Sequence, residues 1–268
     1  MSLELVFKKF CIVGDLHGSL KELRACILDK KGLGIDEDDQ IFIENYDNYV
    51  HHVLVGDYLD KGEDIEALIE FLYKNQEYFT IVIGNHENWN YLFLKNKLGT
   101  YKTNESLIKS FFTSADLLLN NENLKQKFFT LFDNSVPFFE TKTFIVTHSP
   151  CEIKYLGQTD KVSIKNQITC RYPKQRRFEP IFILNWRIRK YFSYLKKEAN
   201  IKDKCHIFGH IPVKDVYVFE NKIGLDTGCV YGGPLSTLNI DLDKGTILVS
   251  DYLYKKKKRK RLYNVLPE

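Results

Sequence analysis

Phe10-Cys11-Ile12-Val13-Gly14-Asp15-Leu16-His17-Gly18 is a β-prone apolar run cut off by a glycine and followed at once by a carboxylate, an imidazole and a second glycine. Beyond it, Leu20, Leu23, Ile27 and Leu28 fall at the spacing of a helix face. The unit reads strand, polar turn, helix. It returns at Val53-Leu54-Val55 before Gly56-Asp57-Tyr58-Leu59-Asp60-Lys61-Gly62, with Ile65, Leu68, Ile69 and Leu72 marking the next helix. It returns again at 80–83 before Gly84-Asn85-His86-Glu87, with a helix expected after Glu87. Such units in succession predict an α/β core whose loops leave the C-terminal ends of strands, where ligand groups gather in sheets of this kind.

Further along, 104–132 reads as a helical, aromatic-rich stretch, taken as an insertion (101–135) packed on the core by its Tyr and Phe residues. A strand ending at His148 follows, then a polar irregular stretch over 158–177 and a helix over 180–197 that Pro180 would start. Short β-rich runs at 206–208, 216–219, 235–240 and 246–249, separated by Gly, Pro and Asp, predict a second, mainly antiparallel sheet.

The 268 residues are 44% hydrophobic, enough for one large core, so a single domain over 1–268 is expected. The formal charge of +4 is small. Much of the excess sits in Lys255-Lys256-Lys257-Lys258-Arg259-Lys260-Arg261, expected to be a solvated basic tail (255–268). That run lacks the interleaved aromatics of a base-stacking platform, which argues against nucleic acid as the partner. No apolar stretch is long enough to cross a bilayer and no signal-peptide core is present, so no membrane partner and a cytoplasmic location are expected. The cysteines Cys11, Cys26, Cys151, Cys170, Cys205 and Cys229 are scattered without a Cys-x-x-Cys pair, and read as small buried hydrophobes.

The chemistry concentrates in five loops: those of Asp15 and His17, of Asp57, Asp60 and Lys61, of Asn85 and His86, of Thr147-His148-Ser149, and of Gly209-His210-Ile211-Pro212. Carboxylate, imidazole and amide oxygen suit hard-to-borderline divalent cations such as Mn²⁺, Fe²⁺ and Zn²⁺. Asp15 and His17, two positions apart, could bind one ion and Asp57 could bridge it to a second. Phosphate ester hydrolysis needs a nucleophile at neutral pH, charge neutralisation and a proton for the leaving group. A metal pair supplies the first two. His86, held protonated by Asp60, is a candidate for the third. His51, His52 and His206 lie outside these loops and read as strand or surface histidines. Asp226 could orient a ligand histidine or simply stabilise a turn.

These motifs resemble the calcineurin-like metallophosphoesterases, and within them the phosphoprotein phosphatase branch with its bacterial and diadenosine tetraphosphatase-like relatives. Phe208-Gly209-His210-Ile211-Pro212-Val213, with Leu225-Asp226-Thr227-Gly228-Cys229 and Gly232-Gly233, is similar to the C-terminal signature of the bacterial-type members. Pro212 stands where superfamily phosphodiesterases and nucleases carry a second histidine. The resemblance implies an αββα sandwich of two mixed β-sheets flanked by helices, and a binuclear centre of two divalent ions, Mn²⁺ with Fe or Zn as alternatives. It implies Asp15 and His17 as ligands of the first ion, Asp57 as the bridge, and Asn85, His148 and His210 as ligands of the second. His86 would be the acid held by Asp60, and Lys61, Asn85 and Arg187 would contact phosphate, with Arg189 as an alternative to Arg187. Lys61 replaces the arginine usual in the family and lacks its planar fork. The implied reaction is phosphomonoester hydrolysis by a metal-bridging hydroxide, with phosphorylated proteins (Ser/Thr phosphatase activity) or small phosphorylated compounds as partners. Alternatives are a dinucleoside polyphosphate or nucleotide hydrolase, and a phosphate-binding regulator without turnover.

Overall fold

The computed structural model describes residues 7–95, 113–169 and 204–253, and the backbone of a strand at Lys256–Tyr263. In chain order the elements are β1 (Lys9–Val13), α1 (Leu20–Asp29), β2 (Leu33–Ile35), β3 (Ile41–Ile43), β4 (His51–Leu54), α2 (Ile65–Lys74), β5 (Phe79–Ile81), α3 (Asn85–Leu94), α4 (Ser114–Asn120) and α5 (Glu122–Asp133). They continue with β6 (Phe138–Glu140), β7 (Phe144–Thr147), α6 (Lys161–Ile168), β8 (Cys205–Phe208), β9 (Tyr217–Phe219), β10 (Lys222–Gly224), β11 (Leu235–Asp241), β12 (Thr246–Leu253) and β13 (Lys256–Tyr263). No helix of the described residues is long and apolar enough to cross a membrane.

Two mixed sheets organise the chain. One has the order β13-β12-β11-β1-β4-β5 and the other β6-β7-β8-β10-β9, while β2 and β3 form a small hairpin apart. In the first sheet β1, β4 and β5 run parallel, and in the second β7 and β8 do so. Alternation along each strand divides its side chains between two layers. Phe10, Ile12, Val53 and Val55 face a core shared with Phe144, Val146 and Ile207 of the second sheet. Cys11, Val13 and Leu54 face a core shared with α1, α2 and α5. Strands covered on both faces read as continuous apolar runs, which is why β1 stood out in the sequence.

Several expectations need correction. The C-terminal runs do not make one antiparallel sheet: β11 and β12 join β1 in the first sheet, and only β8, β9 and β10 lie in the second, which is mixed. The irregular stretch holds a helix, α6, whose N-cap Asp160 accepts from Val162 N and Ser163 N. The basic run is not a free tail, because Lys256–Tyr263 pairs antiparallel with β12. Leu28, assigned to the buried face of α1, is 50% exposed, and Cys26 takes the buried position instead. The helix expected over 180–197 lies outside the described residues.

The described part of the aromatic stretch, 113–135, contributes apolar side chains to the core. α5 is capped by Asn121, whose side chain accepts from Leu124 N, and buries Leu124, Phe128, Phe129 and Leu131 in the helix-side core. Tyr91 of α3 stacks on Phe132 at 4.0 Å between centroids. Phe128→Ala is expected to cost about 3–5 kcal/mol, the range for emptying a buried aromatic position. Urea unfolding checks this, and a loss below about 1 kcal/mol would mean that α5 is not part of the cooperative core.

Candidate metal centre

The loops after β1, β4, β5, β7 and β8 all leave the C-terminal ends of strands that are parallel within their own sheet. Five side chains in or beside these loops have left-handed backbone: His17 (φ 41°), Asp57 (φ 50°), Asp60 (φ 64°), Lys61 (φ 68°) and His210 (φ 69°). Non-glycine residues rarely adopt this conformation, and it persists only where the surroundings hold it. Gly56 (φ 101°) follows the same pattern, and a Cβ there would stand 2.6 Å from Gly84 N. At Gly209 a Cβ would sit 1.9 Å from Asp15 Oδ1, so this glycine lets the last loop close onto the first.

Asp57 stands in the middle, buried at 3% exposure. Its Oδ2 faces His17 Nε2 at 3.7 Å and His86 Nε2 at 3.8 Å, and its Oδ1 faces His148 Nε2 at 3.3 Å. Two groups of metal-type ligand atoms therefore share it: His17, Asp57 and His86, and Asp57, His148 and His210. Asn85 Oδ1 joins the second group, 2.9 Å from His148 Nε2 and 2.6 Å from His210 Nδ1, and those two nitrogens are 3.2 Å apart. Asp15 is buried beside them and accepts from His210 N at 3.0 Å.

The tautomers follow from the backbone. His17 Nδ1 donates to Leu59 O at 2.7 Å and His148 Nδ1 to Val55 O at 2.9 Å, so each Nε2 turns a lone pair to the centre. Lone pairs of His148 and Asn85 at such short separation demand a positive charge between them, either a proton or a metal ion.

The carboxylates state the same need. Burial, then the charges of Asp226 and Asp57, push Asp15 well above the usual carboxylate range. Burial would also raise Asp57, but His148, His86 and His17 hold it well below that range. Burial would depress His148, and the Asp57 carboxylate outweighs it and raises the imidazole instead. Burial brings His17 down to about 4 with Lys61 and His86 assisting against Asp57, and burial with His148 brings His210 to about 3. Neutral imidazoles facing crowded buried carboxylates suit divalent cations, whose charge offsets both penalties.

The remaining predicted residues fall around this cluster. His86 Nδ1 donates to Asp60 Oδ2 at 2.6 Å, and its pKa is raised because Asp57 and Asp60 together outweigh burial. Lys61 Nζ lies 2.9 Å from His17 Nε2 and 5.9 Å from the ring centre of Tyr231, at the lip. Asp226 Oδ1 accepts from Gly228 N at 2.9 Å, the turn-stabilising role, and it lies close enough to Asp15 to act on its charge. Arg187 and Arg189 lie outside the described residues. His51, His52 and His206 are buried strand histidines, away from the centre.

Three positioning residues were not foreseen. Glu87 is buried at 1% and its carboxylate accepts from Asp57 N, Leu59 N and Gly84 N at 2.8, 2.9 and 3.1 Å, tying two loops together. Burial and then Asp57 push its pKa up to about 7. Asn90 Nδ2 donates to Asp60 Oδ2 at 3.0 Å. Ser114, which opens α4, exchanges two hydrogen bonds with Asp60: Asp60 N to its Oγ at 2.8 Å, and its own N to Asp60 Oδ1 at 2.7 Å. Glu87 sat inside a quoted motif and was readable there. Ser114 is 54 residues from Asp60 and had no local signal.

The chain is similar to several known proteins. A protein of Oceanobacillus iheyensis named bis(5'-nucleosyl)-tetraphosphatase PrpE [asymmetrical] is 26% identical over 239 residues, covering 85% of this chain and 87% of its own. A protein of the same name from Bacillus mycoides is 28% identical over 242 residues, with 86% and 89% covered. Among solved structures, a cold-active protein tyrosine phosphatase of a psychrophilic Shewanella species superposes with a TM-score of 0.57 at 15% identity, over 95% of this chain and 80% of that one. That likeness speaks for the fold alone. The family described as calcineurin-like phosphoesterase matches residues 8–214, and this chain, a hydrolase of phosphoester bonds, belongs to that family.

Proposed function

We propose that the chain hydrolyses dinucleoside polyphosphates of the bis(5'-nucleosyl) tetraphosphate type at the centre around Asp57. What carries the substrate class is the match, over most of both chains, to proteins named for that activity. Nothing among the described residues favours a phosphoprotein over a nucleotide, so phosphoprotein hydrolysis stands second.

In this reading Asp15, His17 and Asp57 hold one divalent ion, and Asp57, Asn85, His148 and His210 hold the other. A divalent pair, when bound, supplies a nucleophilic water at neutral pH and neutralises the phosphoryl oxygens. Mn²⁺ suits the oxygen and imidazole donors, and Fe or Zn would be tolerated. The protein's own side chains do the rest. Lys61 brings an ammonium to the phosphate oxygens beside His17, as a point charge. His86, kept protonated by Asp57 and Asp60, delivers a proton from Nε2 to the departing phosphate oxygen while Asp60 holds Nδ1. Asp60 can do so in one orientation only, because Asn90 Nδ2 and Ser114 N occupy its oxygens.

With Mn²⁺ present, kcat/KM for diadenosine tetraphosphate is expected to exceed that for a panel of phosphopeptides. The reverse order would overturn the substrate assignment and leave the phosphoesterase intact. His86→Asn is expected to lower kcat by about 10²–10⁴, the usual range for a general acid, with metal content unchanged. An unaffected kcat would remove His86 from the reaction. Ser114→Ala leaves a buried Asp60 N–H without its partner, costing about 1–3 kcal/mol in denaturant unfolding. It should lower kcat more than it raises KM. Chelation with EDTA is expected to abolish turnover and to lower the melting temperature, because the buried carboxylates lose their counter-charge, with both restored by Mn²⁺. A melting temperature indifferent to chelator and metal would argue against any ion at Asp57.

A further inference from the structure

On the helix-facing side of the first sheet, three neighbouring strands bring polar side chains into one row. Asn239 of β11 pairs with Cys11 of β1, and Cys11 pairs with His52 of β4, so the three point the same way from adjacent backbones. Cys26 of α1 comes down onto this row, with its sulfur 3.6 Å from that of Cys11. Cys11, Cys26 and His52 are all at 0% exposure, and one ligand atom from each lies within 4.8 Å of the other two.

Two features set this cluster apart from ordinary packing. Neither ring nitrogen of His52 makes a hydrogen bond of standard geometry, and the polar group it meets is the Cys11 thiol. The other buried strand histidines do find a hydroxyl: His51 Nε2 meets Thr80 Oγ1 and His206 Nε2 meets Thr147 Oγ1, each at 2.8 Å. Next in the row, Asn239 Oδ1 is also buried without a partner. A buried polar atom left unpaired costs about 1–3 kcal/mol. Three such atoms, the two ring nitrogens of His52 on one side of the thiol pair and Asn239 Oδ1 on the other, point to a missing common partner. The second feature is the spacing. Thiolates on one tetrahedral Zn²⁺, at about 2.3 Å each, stand roughly 3.8 Å apart, close to the separation seen here. Sulfur and imidazole are soft-to-borderline donors, unlike the oxygen-rich set around Asp57.

We propose that Cys11, Cys26 and His52 bind a Zn²⁺ ion in the core, separate from the centre at Asp57, with Asn239 Oδ1 or a water completing the shell. The ion links β1, β4 and α1. The loop from β1 to α1 carries Asp15 and His17, and the loop after β4 carries Asp57, so the site staples the elements that present the catalytic loops. The cluster is enclosed, and the ion is taken up as the chain folds. Burial favours neutral thiols and, with the hydrogen bond to Cys11, holds Cys26 well above the usual thiol range, while that same hydrogen bond, followed by Lys30 and His52, brings Cys11 well below it.

Cobalt separates this site from the other, because only thiolate ligands give an intense sulfur-to-Co²⁺ charge-transfer band in the near ultraviolet and the Asp57 centre contains none. Protein produced in Co²⁺-supplemented medium is expected to show that band. Cys26→Ala and His52→Gln are expected to carry one fewer ion per chain. The band should vanish in both, while both keep metal-dependent phosphoesterase turnover. Absence of the band in Co²⁺-loaded wild-type protein, or its persistence unchanged in Cys26→Ala, would overturn the proposal. Either result leaves the assignment at Asp57 untouched.

Discussion

A negative charge buried where the C-terminal ends of two sheets meet is the constraint on which the structure turns. Asp57 is nearly inaccessible, yet three histidines within 4 Å hold it ionised. Asp15 and Glu87, close by, are pushed the other way by the same burial and by the charge of Asp57 itself. Coulomb energies between charges a few ångströms apart in such surroundings amount to several kcal/mol, as large as a domain's net stability. Carboxylates crowded in this way call for positive charge among them, whether from the histidines, from protons or from a bound cation.

Holding the loops is the second half of that problem. Left-handed backbone at His17, Asp57, Asp60, Lys61 and His210 costs of order 1–3 kcal/mol per residue if unsupported. The supports are visible: Glu87 takes three backbone N–H groups from two loops, and Ser114 and Asn90 lock Asp60. The stretch that reads as an insertion thus does more than bury aromatics. The start of α4 fixes the Asp60 carboxylate that hydrogen-bonds His86, which ties this segment to the candidate site.

Legibility in the sequence followed the range of the interactions. β1, β4 and β5 could be read because both of their faces are covered and their residues are apolar without a break. Most of the candidate ligands stood out because they come just past an apolar run, beside a glycine whose φ or close approach the loop needs, whereas His148 follows such a run with no glycine neighbour. The destination of β11 and β12 could not be read, since alternation reports that a strand is half-buried but not which sheet it joins. α6 hid in a polar stretch, although Asp160 two residues before Val162 was a usable N-cap signal. Ser114 and the Cys11, Cys26 and His52 cluster were beyond reach, because their partners come from elements that only the tertiary fold brings together.

The topology also explains why neither sheet could carry this chemistry alone. β1, β4 and β5 supply Asp15, His17, Asp57, Asn85 and His86, while β7 and β8 supply His148 and His210. The two sets meet only when Phe10, Ile12, Val53 and Val55 are packed against Phe144, Val146 and Ile207. His148 reaches across that junction to donate to Val55 O and so fixes its own ring by the opposite sheet's backbone. An inter-sheet core displaced by one strand register would reverse the side-chain faces and disperse the ligands. Apolar complementarity between the sheets therefore sets the geometry of the centre, and the charges of the centre reward that packing once it forms.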